Sequence, residues 1–571
     1  MKVEVREPAA PARTGKRLLG EILLERETLT AAQLKDALFQ QRVTGKRLGA
    51  LLVELGVVDE RELAVALAEH FSLSVIDLRR TAPELAAIAK LSESTARSLS
   101  VLPVRIDGEL LEVAVSDPGE QLTADLVRAS GMRVRLLVAS STDITRAIDR
   151  NYHALADISR HVSAFSQEDD RRRTDRRVSA TVNEDAPVVR VVSLVITQAL
   201  RDRASDIHIE SSDTRVRVRF RIDGVLHEVL SLPVEMGPAV ASRIKVLAGM
   251  NIVERRRPQD GQLTMDVDGR SIDIRVATSG TVTGEKVVMR LLDKSKPLFR
   301  ISQLGMTSQT QQRYTAVVNS PFGMVVCAGP TGCGKTTSLY ATLSELDSAE
   351  RNIMTIEDPV EYRFPTINQI QINEQAGVSF AAGLKAILRQ DPDIVLVGEV
   401  RDPETARIAV QSALTGHFVL SSLHATDATS ALHRFLDMGI ESFLIASAVS
   451  GVLSQRLVRR ICDACRRPYD PTPEELAFYR ESGGQDPDRG FFRGEGCTFC
   501  ADTGYSDRTG VYEMVVMTPE LRQLIVEKPS HQAIRELCVS QGTSTLRMEA
   551  ARLVADGVTT IAEIVRSIYT L

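Results

Sequence analysis

The spacing of apolar residues divides the chain into stretches of different period. From Leu18 to His70 they return at three- and four-residue intervals, the spacing of short amphipathic helices. This pattern itself repeats: Leu19-Gly20, Leu34, Leu38 and Gln41 come back as Leu48-Gly49, Leu63, Leu67 and His70, each 29 residues on. Two tandem helical hairpins are therefore predicted over 15–78. Between 79 and 152 strand-like runs such as Leu111 to Val115 and Arg133 to Val138 mix with Leu/Ala-rich helices, which predicts a small α+β unit. Residues 187–298 open on a Val/Leu-rich helix and continue with SDIHIE, RVRVRFRIDG and DGRSIDIRVATSG, whose period of two marks antiparallel strands. From Ile301 apolar strand-like runs alternate with helices, the pattern of an α/β core, expected over 299–460. A Cys-rich insert at 461–514 and a helical segment at 515–571 follow. Residues 1–14 read as a flexible tail, and 153–186, with SQEDDRRRTDRR, as a charged linker too poor in apolar residues to build a core. The run Asp170 to Arg177 within it serves as a solvated tether or touches an acidic partner.

Composition narrows the function classes. At 571 residues, with 43% hydrophobic and 25% charged, the chain is an ordinary globular protein of several domains. The 70 Lys and Arg against 75 Asp and Glu leave a net charge of -5, which argues against a general electrostatic grip on nucleic acid or an anionic membrane. No apolar run reaches the roughly 18–20 residues of a membrane span, and the opening MKVEVREPAAPARTGKR lacks the apolar core of a signal peptide, so a cytoplasmic protein is expected.

Gly329-Pro330-Thr331-Gly332-Cys333-Gly334-Lys335-Thr336 matches GxxxxGK[ST] in full, between an apolar run and a predicted helix, with Thr337 next. In that context the glycines let backbone N–H groups wrap phosphates at a helix N-terminus, Lys335 meets the β/γ oxygens, and the Thr336 hydroxyl reaches Mg²⁺. Cys333 is expected to be a small filler, although a helix N-terminus would lower its pKa. Three further runs end in polar residues: Glu357 after Ile353 to Ile356, Glu399 after Ile394 to Val397, and His424 after Phe418 to Leu423. Ligands of open parallel sheets sit beyond the carboxyl ends of strands, so these three are predicted to converge on the phosphate loop. Asp393 precedes its strand and is expected at the far end as a cap or turn residue. Two carboxylates have two tasks available, one orienting and deprotonating the attacking water and the other holding Mg²⁺. His417 lies on the same segment as His424.

Cys462, Cys465, Cys497 and Cys500 form two CxxC pairs separated by 31 residues. Two such knuckles give Zn²⁺ four thiolates in a tetrahedron, and four protein ligands leave no position for an activated water, so structural zinc is expected.

Taken in order, GPTGCGKTT, TIEDPVEY, LRQDPDIVLVGEVRD, TGHFVLSSLHATDA and SQRLVRRIC, with SDIHIE, RFRIDG, RPQDG and GEKVVMRLLD upstream, resemble the secretion ATPase superfamily. The similarity is to pilus-extension and type II secretion assembly ATPases over essentially 15–571. The resemblance implies a multidomain α/β protein: a RecA-like P-loop ATPase core, an α+β middle domain, a tetracysteine zinc insert and a helical-repeat amino-terminal domain. It implies a homohexamer that hydrolyses ATP at the inner face of the cytoplasmic membrane. The ring would act through an inner-membrane platform protein and an associated cytoplasmic-ring protein, without direct nucleic-acid contact. By position, Glu357 is implied as catalytic base, Glu399 as the Mg²⁺-side acid, His417 and His424 as the phosphate-sensing pair, and Arg275 and Arg290 as middle-domain arginines that reach the γ-phosphate. Arg219 and Arg221 are weaker candidates. The tetracysteine insert argues for assembly rather than retraction, since retraction ATPases generally lack it.

The amino-terminal repeat also resembles the cyclic di-GMP-binding domain of such ATPases. Copy two matches better, through Arg47, Leu48, Gly49, Gly56 and Leu63, whereas copy one has its Arg17 shifted by one and Glu27 where a glycine belongs. Besides pilus assembly, three readings stay open. They are type II secretion with the same chemistry, a nucleotide- and cyclic di-GMP-responsive module with little turnover, and a DNA-translocating motor. The 4% aromatic content disfavours the last.

Overall fold

The computed structural model describes residues 17–152, Phe165 and 187–569, apart from 82, 268–269, 294–298, 348, 486, 488–489 and 501–502. The expected tail at 1–14, the run Asp170 to Arg177 and all of the expected linker at 153–186 except Phe165 lie outside the described residues. The chain forms two compact units, one mainly of residues up to Ala204, the other mainly of residues from Ser205 on.

The first unit opens with helices Leu19–Glu25, Ala31–Thr44, Leu48–Glu54 and Glu60–Phe71. The 29-residue displacement is visible in their packing. The shared core contains Ile22, Leu23, Leu29 and Ala37 together with Leu51, Leu52, Val58 and Ala66, each the other's counterpart. Thr30 and Asp59 cap the longer helices through their side chains, at equivalent positions of the two copies. A Cβ on Gly20 would lie 3.1 Å from Leu34, and one on Gly49 3.0 Å from Leu63, so the short helices approach the long ones by the same device. A four-stranded sheet follows, ordered β1-β4-β3-β2 from β1 (Ser74–Val75), β2 (Val101–Asp107), β3 (Leu110–Val115) and β4 (Arg133–Val138).

The second unit carries most of a six-stranded sheet and a seven-stranded one. The first is ordered β7-β6-β5-β10-β9-β8, from β5 (Asp206–Ser211), β6 (Arg215–Ile222), β7 (Val225–Pro233), β8 (Gln259–Val267), β9 (Arg270–Thr281) and β10 (Gly284–Asp293). The larger sheet comprises β11 (Gly323–Ala328), β12 (Ile353–Glu357), β13 (Asn368–Gln371), β14 (Ile394–Val397), β15 (Phe418–Leu423), β16 (Val449–Ile461) and β19 (Tyr505–Val516). Its order is β13-β12-β14-β15-β11-β16-β19, with every pair parallel except β16 and β19. Burial on both faces explains the unbroken apolar runs of β11 and β14, and β15 is equally buried although it includes Ser421 and Ser422. Alternate residues feed two cores: Met324, Val326, Val395 and Val397 one, Val325, Cys327, Ile394 and Leu396 the other.

One expected boundary moves. The insert placed at 461–514 ends earlier, because β19 begins at Tyr505 and pairs back onto β16 in the main sheet. The sequence from Tyr505 to Val516 reads as an extension of the insert, but it supplies the antiparallel edge strand. The small hairpin of β17 (Arg466–Tyr469) and β18 (Phe491–Gly494) remains within the insert. The helices Pro519–Val526 and His531–Ser540 join the main core through Leu521, Ile525, Ile534 and Cys538.

Candidate active site

The phosphate loop follows β11 and opens the helix Lys335–Leu346. Its glycines answer to two constraints. Gly334 caps the helix in left-handed backbone at φ +93°. At Gly329 a Cβ would lie 2.5 Å from Cys333 Sγ and 2.7 Å from the Gln455 carbonyl oxygen. Lys335 Nζ donates to the carbonyls of Gly329 at 2.7 Å and Pro330 at 3.0 Å, and burial lowers its pKa. Thr331, Gly332, Thr336 and Thr337 are exposed. Cys333 is buried, and burial raises its thiol pKa, overriding the lowering expected from the helix terminus. It fills space in the loop.

The parallel register sets His424 and Glu399, beyond β15 and β14, and Glu357, the last residue of β12, in a row next to the loop beyond β11. Gly329 N–H donates to the carbonyl of Leu423, which puts His424 directly beside the loop. His424 Nε2 lies 3.6 Å from Glu399 Oε2, and burial together with the Lys335 charge lowers its pKa. Glu399 also accepts from Arg401. The exposed Thr336 hydroxyl and the Glu399 carboxylate are oxygen donors of the kind Mg²⁺ takes, and both flank Lys335. Glu357 is buried and held by three donors: the Tyr340 hydroxyl, Thr355 Oγ1 at 2.6 Å and Gln369 Nε2 at 3.1 Å.

His417 is the correction. It precedes β15, with Nδ1 3.1 Å from the Ser412 carbonyl oxygen, and its own carbonyl accepts from Gly323 N at the start of β11. The six-residue strand separates it from His424 by about 20 Å, since a strand rises roughly 3.3 Å per residue. Within one chain His417 therefore stands at the opposite edge of the sheet from the phosphate loop. Asp393 lies at that same edge, where Oδ2 accepts from Asn352 N at 2.7 Å as a turn residue.

Arg275 and Arg290 face each other in register on β9 and β10, a like-charge pair that is unfavourable unless anions meet it. Carboxylates do. Arg275 forms a two-bond fork with Glu361, at 3.1 and 3.0 Å, and Arg290 Nε donates to Asp206 at 3.1 Å. Both arginines line a cleft of about 620 Å³ with Asp260, Gln262, Pro359 and Gln371. No residue of 329–337 lines it, so the arginines stand beside Pro359 and Glu361, just after Glu357, rather than at the loop. Arg219 is tied to Glu210 at 2.8 Å and Arg221 Nη1 to the Gly224 carbonyl at 3.0 Å.

The four cysteines converge between β16 and β19. Their sulfurs all lie within 4.8 Å of one another, with Cys462 to Cys497 and Cys465 to Cys500 at 3.8 Å and Cys497 to Cys500 at 3.7 Å. Tetrahedral thiolates at about 2.3 Å from Zn²⁺ stand about 3.8 Å apart, so the donor set fits. The backbone N–H groups of Cys497 and Gly504, each 3.2 Å from Cys500 Sγ, favour the thiolate form.

A family model described as Type II/IV secretion system protein matches residues 181–566. The chain belongs to that family. With the phosphate loop and the acids beyond it, membership makes this chain a P-loop ATPase. A second match, to the MshEN domain, covers residues 71–157. It begins at the last residue of the fourth helix and spans the α+β part, leaving Arg47, Leu48 and Gly49 outside. The chain is similar to the type IV pilus assembly ATPase PilB of Myxococcus xanthus, 39% identical over 96% of this chain and 98% of that protein. It is equally similar to the type II secretion system protein E of Xanthomonas campestris pv. campestris, 40% identical over 97% and 99%. The solved structure of the Legionella pneumophila ATPase DotB shares the fold at a TM-score of 0.50 and 19% identity, over 65% of this chain and 94% of that one.

Several residues of this secretion-family site were absent from the sequence reading of roles. Gln455, buried in β16, donates to the Cys333 carbonyl at 2.8 Å and accepts from Ser338 at 2.9 Å, bracing the phosphate loop. Arg456 donates to the carbonyls of Gln455 and Thr426 from a buried position. The signal was the polar run Ser454-Gln455-Arg456 between the apolar pairs Val452-Leu453 and Leu457-Val458. Glu361 and Asp206, the acids that meet the two arginines, gave none.

Proposed function

We propose that this chain is a hexameric ATPase that converts ATP hydrolysis into assembly of type IV pilus filaments through an inner-membrane platform protein. The carrying observation is the row of Lys335, His424, Glu399 and Glu357 along one edge of a parallel sheet, in a chain similar to PilB over nearly its whole length. In this reading the backbone N–H groups of residues 329–337 and Lys335 bind the phosphates of ATP in a RecA-like core. Thr336 and Glu399 would hold Mg²⁺, which would supply positive charge against the phosphates. Glu357 orients the attacking water and accepts its proton. Arg275 and Arg290 exchange their carboxylate partners for the γ-phosphate, where a cation is worth roughly 10³–10⁵ in rate by analogy with arginine fingers. His424 senses the phosphate from beside Glu399, and His417 belongs to this site only through another subunit. Cys462, Cys465, Cys497 and Cys500 hold a structural zinc ion. The ring works at the inner face of the cytoplasmic membrane with its platform and a cytoplasmic-ring protein as partners. No described helix is long and apolar enough to cross a membrane.

The equal similarity to a type II secretion protein E favours a second reading with the same chemistry. A deletion strain complemented with wild type or Lys335→Ala separates the two. Loss of surface pili and twitching supports pilus assembly, whereas retained pili with loss of exported protein replaces it by secretion. In the amino-terminal region the resemblance of the repeat to a cyclic di-GMP-binding domain points to that nucleotide as a regulatory ligand of the second copy, through Arg47, Leu48 and Gly49, which lie outside the MshEN match. Arg47 is ion-paired with Asp117, so binding there would have to displace a carboxylate. Equilibrium dialysis of wild type against Arg47→Ala tests this, and equal binding by both overturns it.

A further inference from the structure

The helix opened by the phosphate loop carries a tyrosine that reaches the neighbouring strand. Tyr340 lies one turn beyond Thr336, is buried, and directs its hydroxyl proton at Glu357 Oε2. The Tyr340 hydroxyl oxygen in turn accepts the backbone N–H of Glu361 at 3.2 Å. A phenol has one proton to give, and the accepted N–H fixes which way it points. Thr355 Oγ1 and Gln369 Nε2 both donate to the other carboxylate oxygen, so three of the roughly four lone-pair directions are claimed by side chains. One direction is left for a water. The ring of Tyr340 is held by Phe364, with centroids 5.3 Å apart in an edge-on arrangement, so the hydroxyl has little freedom to swing away. Glu361 ties the arrangement to the arginine cleft, since its side chain holds Arg275 while its amide holds Tyr340.

We propose that Tyr340 is a positioning residue for ATP hydrolysis, aiming the Glu357 carboxylate by a hydrogen bond from the helix that also carries the phosphate loop. The inference rests on Glu357 being the base. It explains how an acid at the end of one strand keeps register with phosphates bound at the end of another: both are fixed to one helix. It also gives Glu361 a second part. Any shift of its loop when Arg275 leaves its carboxylate is passed to Tyr340 through the amide.

The test is steady-state ATPase activity and nucleotide binding of the full-length protein carrying Tyr340→Phe, a change that keeps the ring and removes one donor. Turnover is expected to fall about tenfold, the loss of one hydrogen bond to a charged group. KM and the affinity for a fluorescent ATP analogue are expected to stay within twofold, because no phosphate contact is touched. A purely structural role would reduce binding and turnover together, and that outcome, or turnover within twofold of wild type, overturns the proposal. Thr355→Val removes one of the two donors to the other oxygen in a side chain of the same shape and is expected to show the same split. It decides the matter should the first variant not fold. Glu357→Gln is measured alongside. If it hydrolyses ATP normally, the assignment of the base fails; if it is inactive while Tyr340→Phe and Thr355→Val are not, only the positioning role fails.

Discussion

The phosphate loop and the cysteine cluster both grow from the ends of strands in one sheet, and they are built to opposite specifications. At the loop the polar groups face outward: Thr336 and Thr337 are exposed, and Lys335 rests on carbonyls that phosphate oxygens can replace. At the cluster the polar groups face one another, three of the four cysteines are buried, and Cys500 receives two backbone N–H bonds. A site that must release its ligand each cycle keeps exchangeable contacts, whereas a site that holds the chain together closes its ligand sphere. On the proposed reading, the acids around the loop belong to turnover and the sulfurs to stability. That division can be attacked directly.

The largest effect is expected from Lys335→Ala, which should reduce ATP turnover by about 10²–10³-fold, since it removes a cation aimed at the transferring phosphoryl group. The thermal midpoint should barely move, and a drop in midpoint as large as the loss in rate would undo the separation of roles. Next comes Cys500→Ser. Loss of one thiolate should abolish stoichiometric zinc by atomic emission and lower the midpoint by about 5–10 °C, because metal binding is folding free energy. ATP affinity at a temperature where the variant is folded should match wild type, and a variant that keeps its midpoint makes the cluster something other than a structural zinc site. The smallest effect concerns His424. Burial and the Lys335 charge place its pKa below the ordinary 6.5, so the unfolded chain binds a proton before the folded one does as the pH falls. Its contribution is thus undiminished above about pH 6.5 and is lost as the pH drops through the folded value. His424→Asn should therefore show a shallower loss of thermal midpoint between pH 7 and pH 5 than wild type. Identical slopes would mean that the imidazole stays clear of the Lys335 field.

Much of the fold can be read along the chain because its periods are clean. The 29-residue repeat matched Leu19 with Leu48 and Leu34 with Leu63, and all four pack against one cluster. The apolar runs before Glu357, Glu399 and His424 predicted strands whose carboxyl ends meet. What misled was adjacency. His417 sits seven residues from His424 and looks like its companion, yet an extended strand carries the two to opposite edges. Tyr505 to Val516 follows the last cysteine and looks like the rest of the insert, yet its hydrogen bonds go to β16.

By itself, the sequence determined the chemistry available: a phosphate loop, two acids and a histidine at strand ends, and four thiolates in two knuckles. Those depend on local geometry, a helix terminus, a strand end or a short turn, and local geometry is written in neighbouring residues. Only the tertiary structure decided the pairings. That Glu361 answers Arg275, Asp206 answers Arg290, Gln455 braces the loop and Tyr340 holds Glu357 follows from strand order and register, which bring together residues up to 122 positions apart. Strand order depends on the burial of whole faces rather than on any one spacing, so these partners carry no mark in the chain until it folds.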